Sequence, residues 1–278
     1  MKKLILTAIA ALFITTGTRC YGQSANTIQI KGSDTMVNLG QAWAEEFMKK
    51  NPKAMVAVTG GGSGTGIAAV INGTCDIAET SRKMTKKEIE MAKKNGIKPV
   101  EHIIALDGIV VVAHPSNPVT KLTIEQLAGI FTGKTTDWKE LGAKPGKIII
   151  LSREVNSGTH IYFKEHVLGN KEYAPTALLM PSSQAIADEV AQNPSAIGYY
   201  GMGYISKKQK VIAVAKNKDS GYTNPSLANV KNGKYPVSRP LFMYTNGAPK
   251  GLTKNFIDFI MSKQGQEIVK KLDFVPVK

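Results

Sequence analysis

From Thr27 onward, apolar residues recur in two rhythms that alternate along the chain. Short apolar runs at 28–30, 55–58, 76–78 and 109–112 read as strands, the run at 55–58 as a buried one. Between the first two, Leu39, Trp43 and Phe47 repeat at four-residue spacing beside Ala42. They define one face of an amphipathic helix that ends before Pro52. Residues 67–71 predict a short helix. Thr85 and Glu88 have capping-box spacing and open a lysine-rich, solvent-facing helix. The order βαβαβ predicts a parallel sheet covered by helices on both faces.

The pattern then restarts. Pro115 and Pro118 break the chain just after the 109–112 strand. Thr123 and Gln126 form a second capping box, and Ile124, Leu127, Ile130 and Phe131 share one helical face. Residues 148–151 and 197–200 read as strands, and helices are predicted near Ser157 and over 185–190. The stretch 216–240, rich in Gly, Pro, Asn and Lys, reads as loop and turn, and 242–244 as a strand. Leu252, Phe256, Phe259 and Ile260 define a closing helix. No fixed-period repeat is visible. Two α/β units with a break near residue 113 predict two lobes.

Before Thr27 the chain has a different character. Lys2 and Lys3 precede an uncharged apolar stretch, 4–14, and then small and polar residues, so 1–22 reads as a secretory signal peptide. Cys20 stands where a lipid anchor could attach, but Arg19 occupies a position that normally needs a small residue. Cleavage near Gly22 is the simpler reading, and it leaves Cys75 as a lone buried thiol. No later apolar run reaches 18 residues, so a soluble, extracytoplasmic mature protein is expected. Hydrophobic residues make up 42% of the 278 positions and charged residues 21%, which excludes a disordered or fibrous chain. Thirty-six Lys and Arg against 21 Asp and Glu give a formal charge of +15, favouring anionic partners. Aromatics are only 7% and are not interleaved with the basic residues, so nucleic acid is a poor candidate.

Ligands of α/β folds bind beyond the carboxyl ends of strands, at helix N-termini. Three strand-to-helix loops share a fitting composition: 32–36 (Gly-Ser-Asp-Thr-Met), 60–66 (Gly-Gly-Gly-Ser-Gly-Thr-Gly) and 152–159 (Ser-Arg-Glu-Val-Asn-Ser-Gly-Thr). Each offers hydroxyls and unpaired backbone N–H groups where the helix dipole is positive. Arg153 adds a charge that can grip two oxygens. In any one loop such residues are ordinarily just N-caps; three together point to an anion. The glycine-rich loop is not a nucleotide motif. Ile67 stands where a P-loop needs lysine, and the Rossmann spacing would demand glycine at Thr65 or Ile67. Ser63 lacks the final glycine of a nucleophile elbow. His102, His114, His160 and His166 show no metal-ligand spacing, and His160 reads as a surface histidine on a helix. Tyr199, Tyr200 and Tyr204 read as packing residues. No catalytic residue, metal or cofactor is expected.

In combination these residues resemble the periplasmic phosphate-binding proteins of ABC-type phosphate uptake. The resemblance rests on 32–36, 60–66, Asp76-Ile77-Ala78 with Ser81-Arg82, and Arg153 with Ser157-Gly158-Thr159. Supporting stretches are 130–134 through Trp138, 197–200, Tyr235-Pro236 and Arg239-Pro240-Leu241, so nearly the whole mature chain is covered. The resemblance implies a type II periplasmic-binding-protein fold, with two Rossmann-like lobes joined by two crossover segments near 108–113 and 241–244. Lobe I would comprise 26–108 plus 241–278 and lobe II 109–240, with phosphate in the cleft between them. Its implied ligand set is Ser33, Thr35, the Met36 amide, Ser63, Ser81, Arg82, Arg153, Ser157, Gly158 and Thr159. It also implies a monomer delivering inorganic phosphate to the permease subunits of an ABC transporter.

One departure matters. Some members place at the position of Ser81 an aspartate that accepts the proton still carried by bound phosphate. Asp107, at a strand end, is the candidate replacement, paired with Arg82 or free to act; Asp34 is assigned to capping the following helix and Asp76 to bracing its loop. Such a carboxylate would face an unpaired, like-charged oxygen on sulfate, an arrangement costing several kcal/mol. It would therefore favour phosphate or arsenate. Two rival classes are a secreted phosphate-ester hydrolase using the same anion cradle and an oxyanion sensor without a transport role.

Overall fold

The structure is a computed structural model describing residues 26–144 and 146–278. The leader assigned to 1–22, and with it Cys20, lies outside the described residues. Strands β1 (Thr27–Gly32), β2 (Met55–Thr59) and β3 (Ile77–Thr80) lie side by side and parallel, in the order β2-β1-β3. Helices α1 (Val37–Lys50), α2 (Ser63–Ile71) and α3 (Lys86–Lys94) alternate with them. The helical face read from sequence is the one buried: Leu39, Trp43 and Phe47 of α1 are covered, each burial worth about 1.5–3 kcal/mol. Both capping boxes form, at Thr85/Glu88 opening α3 and at Thr123/Gln126 opening α4 (Ile124–Phe131). The predicted buried strand at 55–58 is instead a half-exposed sheet edge. Its side chains alternate, and Met55 is 66% exposed.

The sheet does not stay parallel. Strand β4 (Pro99–Ala113) is 15 residues long and runs through both halves of the molecule. Residues 99–108 pair antiparallel with β10 (Ser238–Asn246), which also pairs with β3. Residues 109–113 pair instead with β8 (Ala196–Gly201) and, over 111–113, with β9 (Lys210–Ala215). Pro240 within β10 lies opposite Leu106, whose N–H and C=O both bond Val275, at 2.8 and 2.9 Å. The donor that proline lacks is therefore not needed there.

The second half contains β5 (Lys121–Thr123), α4, β6 (Ile149–Arg153), α5 (Gly158–His166), β7 (Leu178–Met180), α6 (Ser183–Gln192), β8 and β9. The stretch read as loop at 216–240 holds a short helix, α7 (Leu227–Lys231), and the start of β10. The chain closes with α8 (Gly251–Ile260), as read, and α9 (Lys263–Lys271), which the sequence reading did not separate. One apolar core lies in the second half, around Val110, Phe131, Phe163 and Tyr199. Two cover opposite faces of the first-half sheet. These cores make a two-lobed α/β molecule, with β4 and β10 crossing between the lobes.

Candidate functional site

The three hydroxyl-bearing loops converge. In the first, Ser33 is fixed by its amide, which donates to the Glu79 carbonyl at 2.8 Å. Its hydroxyl donates to Ser81 Oγ at 2.9 Å. Ser63, the first residue of α2, accepts from the Ser81 amide at 3.0 Å and bonds Ser81 Oγ at 3.2 Å. From the second lobe, Thr159 in the first turn of α5 bonds Thr35 Oγ1 at 2.8 Å. Ser157 caps α5, accepting from the amides of Thr159 and His160. All six residues are at most 2% exposed. The positive ends of α1, α2 and α5 therefore meet at a buried hydroxyl cluster built from both lobes.

Gly158 explains how the lobes approach so closely. A Cβ there would stand 2.4 Å from Ser63 Oγ and 2.6 Å from Ser81 Oγ. Only glycine lets the α5 N-terminus reach the first-lobe hydroxyls. Met36 is buried at the start of α1, but its amide donates to the Ser33 carbonyl at 2.9 Å, shaping the loop.

The cation at this cluster is Arg239, which the sequence reading noted only within a supporting stretch. It lies on β10 and is 2% exposed. It donates through Nη2 to Thr159 Oγ1 (2.9 Å) and Thr35 Oγ1 (3.4 Å), and through Nη1 to the Ser81 carbonyl (2.9 Å). The missed signal was a lone arginine in an apolar strand. Asp107, predicted to stand free or to pair with Arg82, pairs with Arg239 instead. Its Oδ2 accepts from Nε and Nη2 at 3.1 and 2.9 Å, and its Oδ1 accepts the Met202 amide at 3.0 Å. Burial pushes the Asp107 carboxyl up, opposed by Arg239 and that amide.

Arg82 stands apart from the cluster. Its guanidinium meets Glu88 at 2.7 and 2.9 Å, locking the start of α3. Arg153 reaches the cleft, but its donors go to the Met180 and Pro181 carbonyls, Ser183 Oγ and Asp34 Oδ2, the last at 2.6 Å. Asp34 is thus a bridge to Arg153 and to the Gly61 amide (2.8 Å), not a cap; α1 has no side-chain cap. Asp76 accepts the Gln29 amide at 2.7 Å, bracing its loop as read. His160 is not on the surface. It is 7% exposed, bonds the Arg153 carbonyl through Nδ1 at 2.8 Å and stacks on Tyr173. The carbonyl partner puts the proton on Nδ1, and burial lowers the ring's affinity for a second one.

Glu79 was not singled out by sequence. It is fully buried, and among the described residues neither carboxylate oxygen has a hydrogen-bond partner. Burial beneath the first loop pushes its carboxyl well above the usual range. Among the described residues no cluster of His, Cys, Asp and Glu could hold a metal ion, and no helix is long and apolar enough to cross a membrane.

The model of the PBP superfamily domain matches residues 20–264. The phosphate-binding protein PstS of Pseudomonas aeruginosa is 33% identical over 92% of this chain and 84% of its own length. That of Bacillus subtilis is 34% identical over 92% and 82%. A Clostridium perfringens crystal structure, described as a phosphate ABC transporter substrate-binding protein with bound phosphate, superposes with a TM-score of 0.83. It shares 34% identity and covers 91% of this chain and all of that one.

Proposed function

Because this chain belongs to the PBP superfamily, and within it to the phosphate-binding proteins of ABC-type phosphate uptake, we propose that the hydroxyl cluster around Arg239 is where it holds inorganic phosphate. The protein is a phosphate-binding solute-binding component of such a system. The observation carrying the site assignment is the convergence of Ser33, Thr35, Ser63, Ser81 and Thr159 with Arg239, all buried and drawn from both lobes.

In this reading the hydroxyls and the α1, α2 and α5 amides turn from one another to the anion as the lobes close, and Arg239 supplies the charge. A hydroxyl both donates and accepts, so Ser81 can accept the hydrogen bond of a protonated phosphate oxygen where other members carry an aspartate. Asp107 orients Arg239 and offsets its charge. Arg153, Ser157 and Asp34 hold the second-lobe loop and Arg82 holds α3. We assign 26–108 with 241–278 to one lobe and 109–240 to the other. We place the mature protein outside the cytoplasm, released from the 1–22 leader and passing phosphate to a membrane permease. No catalytic step is assigned to it.

The test is calorimetric titration of mature protein freed of carried-over phosphate. One-to-one binding of phosphate is expected, and the same titration with sulfate reads the selectivity that a hydroxyl-lined site allows. Absence of phosphate binding would overturn the reading, and equal affinity for sulfate would reduce the site to a general oxyanion cleft.

A further inference from the structure

The glycine-rich loop contributes one hydroxyl, Ser63, to the cluster, and the rest of its composition has another use. Asn156, from the loop before α5, reaches across the cleft. Its Nδ2 donates to the Gly61 carbonyl at 2.9 Å and to Thr65 Oγ1 at 3.3 Å, and its own carbonyl accepts the Gly64 amide at 2.9 Å. The Gly61 amide continues the chain of contacts to Asp34, and Asp34 to Arg153 on the second lobe.

The glycines are shaped to this neighbour. A Cβ on Gly62 would lie 3.0 Å from the Asn156 carbonyl oxygen and 3.1 Å from its Cγ. One on Gly64 would lie 3.2 Å from the same oxygen. Gly62 also has φ +90°, which disfavours other residues.

The opposite edge of the cleft differs. There a cavity of about 680 Å³ separates Arg82 and Met84 of the first lobe from Tyr162 and His166 of the second. Among the described residues no hydrogen bond joins 81–88 to 161–166. Among the described residues, hydrogen bonds cross the cleft at the Asn156 edge and at the hydroxyl cluster but not between these two segments.

We propose that Asn156 and the 60–66 loop form a latch that sets how long the cleft stays shut, and so the rate at which bound anion is released. The proposal rests on the phosphate-binding reading above. Asn156 acts as a positioning residue: its side chain bonds Gly61 and Thr65, which lie outside the hydroxyl cluster. The latch bonds exist only when the lobes meet. Removing them accelerates opening and leaves the encounter of phosphate with the open cleft untouched.

The experiment is stopped-flow measurement of phosphate association and release on mature wild-type protein, Asn156→Ala and Gly64→Ala. Asn156→Ala removes two side-chain hydrogen bonds of ordinary strength, so release is expected to quicken about tenfold with association within about twofold. The ligand-free melting temperature should not move, because the bonds do not hold either lobe together. Gly64→Ala, altered from the other lobe, is expected to quicken release likewise. The double variant should fall short of the product of the two effects, since both act on one contact. Unchanged release in Asn156→Ala, or slowed association in its place, would overturn the latch. Failure of the wild-type protein to bind phosphate would instead overturn the functional reading on which it rests.

Discussion

Gly158→Ala is the sharpest probe of the closed cleft. Gly158 is outside the positive-φ region, so alanine meets no backbone penalty there. The obstacle is across the cleft, where the new Cβ would stand 2.4 Å from Ser63 Oγ, 2.6 Å from Ser81 Oγ and 3.0 Å from Ser63 Cβ. The shortest of these is about 1 Å inside ordinary contact. If the lobes stop about 1 Å short, hydrogen bonds at 2.7–2.8 Å stretch to about 3.7 Å, beyond useful range. Losing two bonds to a charged ligand, at about 1.5–3 kcal/mol each, weakens phosphate binding by roughly 10²–10⁴-fold. Calorimetry measures that loss, and thermal unfolding of ligand-free protein serves as the control. Because the clash lies between lobes, the ligand-free melting temperature should stay within about 2 °C, the equivalent of under 1 kcal/mol. Affinity within threefold of wild type would refute the reasoning. So would a melting temperature that fell in step with affinity, since glycine would then be needed by the fold and not by closure.

Two further outcomes test the buried charges. Arg239→Ala leaves Asp107 buried and unpaired, an arrangement costing about 3–5 kcal/mol. The melting temperature should drop by about 10 °C and phosphate binding should vanish. The Asp107→Asn/Arg239→Gln double variant should regain most of the stability in the same thermal scan and none of the affinity in calorimetry. For Glu79, the folded carboxyl titrates above the unfolded one. Its favourable contribution is therefore present below the unfolded value, near 4.5, and lost as pH rises toward the folded one. Glu79→Gln should be more stable than wild type at neutral pH, with an advantage that grows in melting curves as pH rises above about 4.5. A constant or reversed difference would show that Glu79 finds a partner.

The sequence by itself determined most of the helices and strands and the loops that carry chemistry. The helical face of Leu39, Trp43 and Phe47, both capping boxes and the alternating strands are local consequences of side-chain spacing, and they formed where that spacing put them. The hydroxyls of 32–36, 60–66 and 152–159 were legible because strand-to-helix loops advertise themselves by Gly, Ser and Thr. What only the tertiary structure decided was pairing across distance. Arg239 and Asp107 are 132 residues apart, and antiparallel register between two crossing strands places them opposite one another. Arginine chemistry is readable in sequence, whereas its partner is not: Glu88 meets Arg82, and Asp34 with two carbonyls and Ser183 surrounds Arg153. The exposed edge at Met55 and the buried ring of His160 followed the same logic. Burial depends on which elements come to lie beside a residue, and that is fixed by the packing of the whole chain.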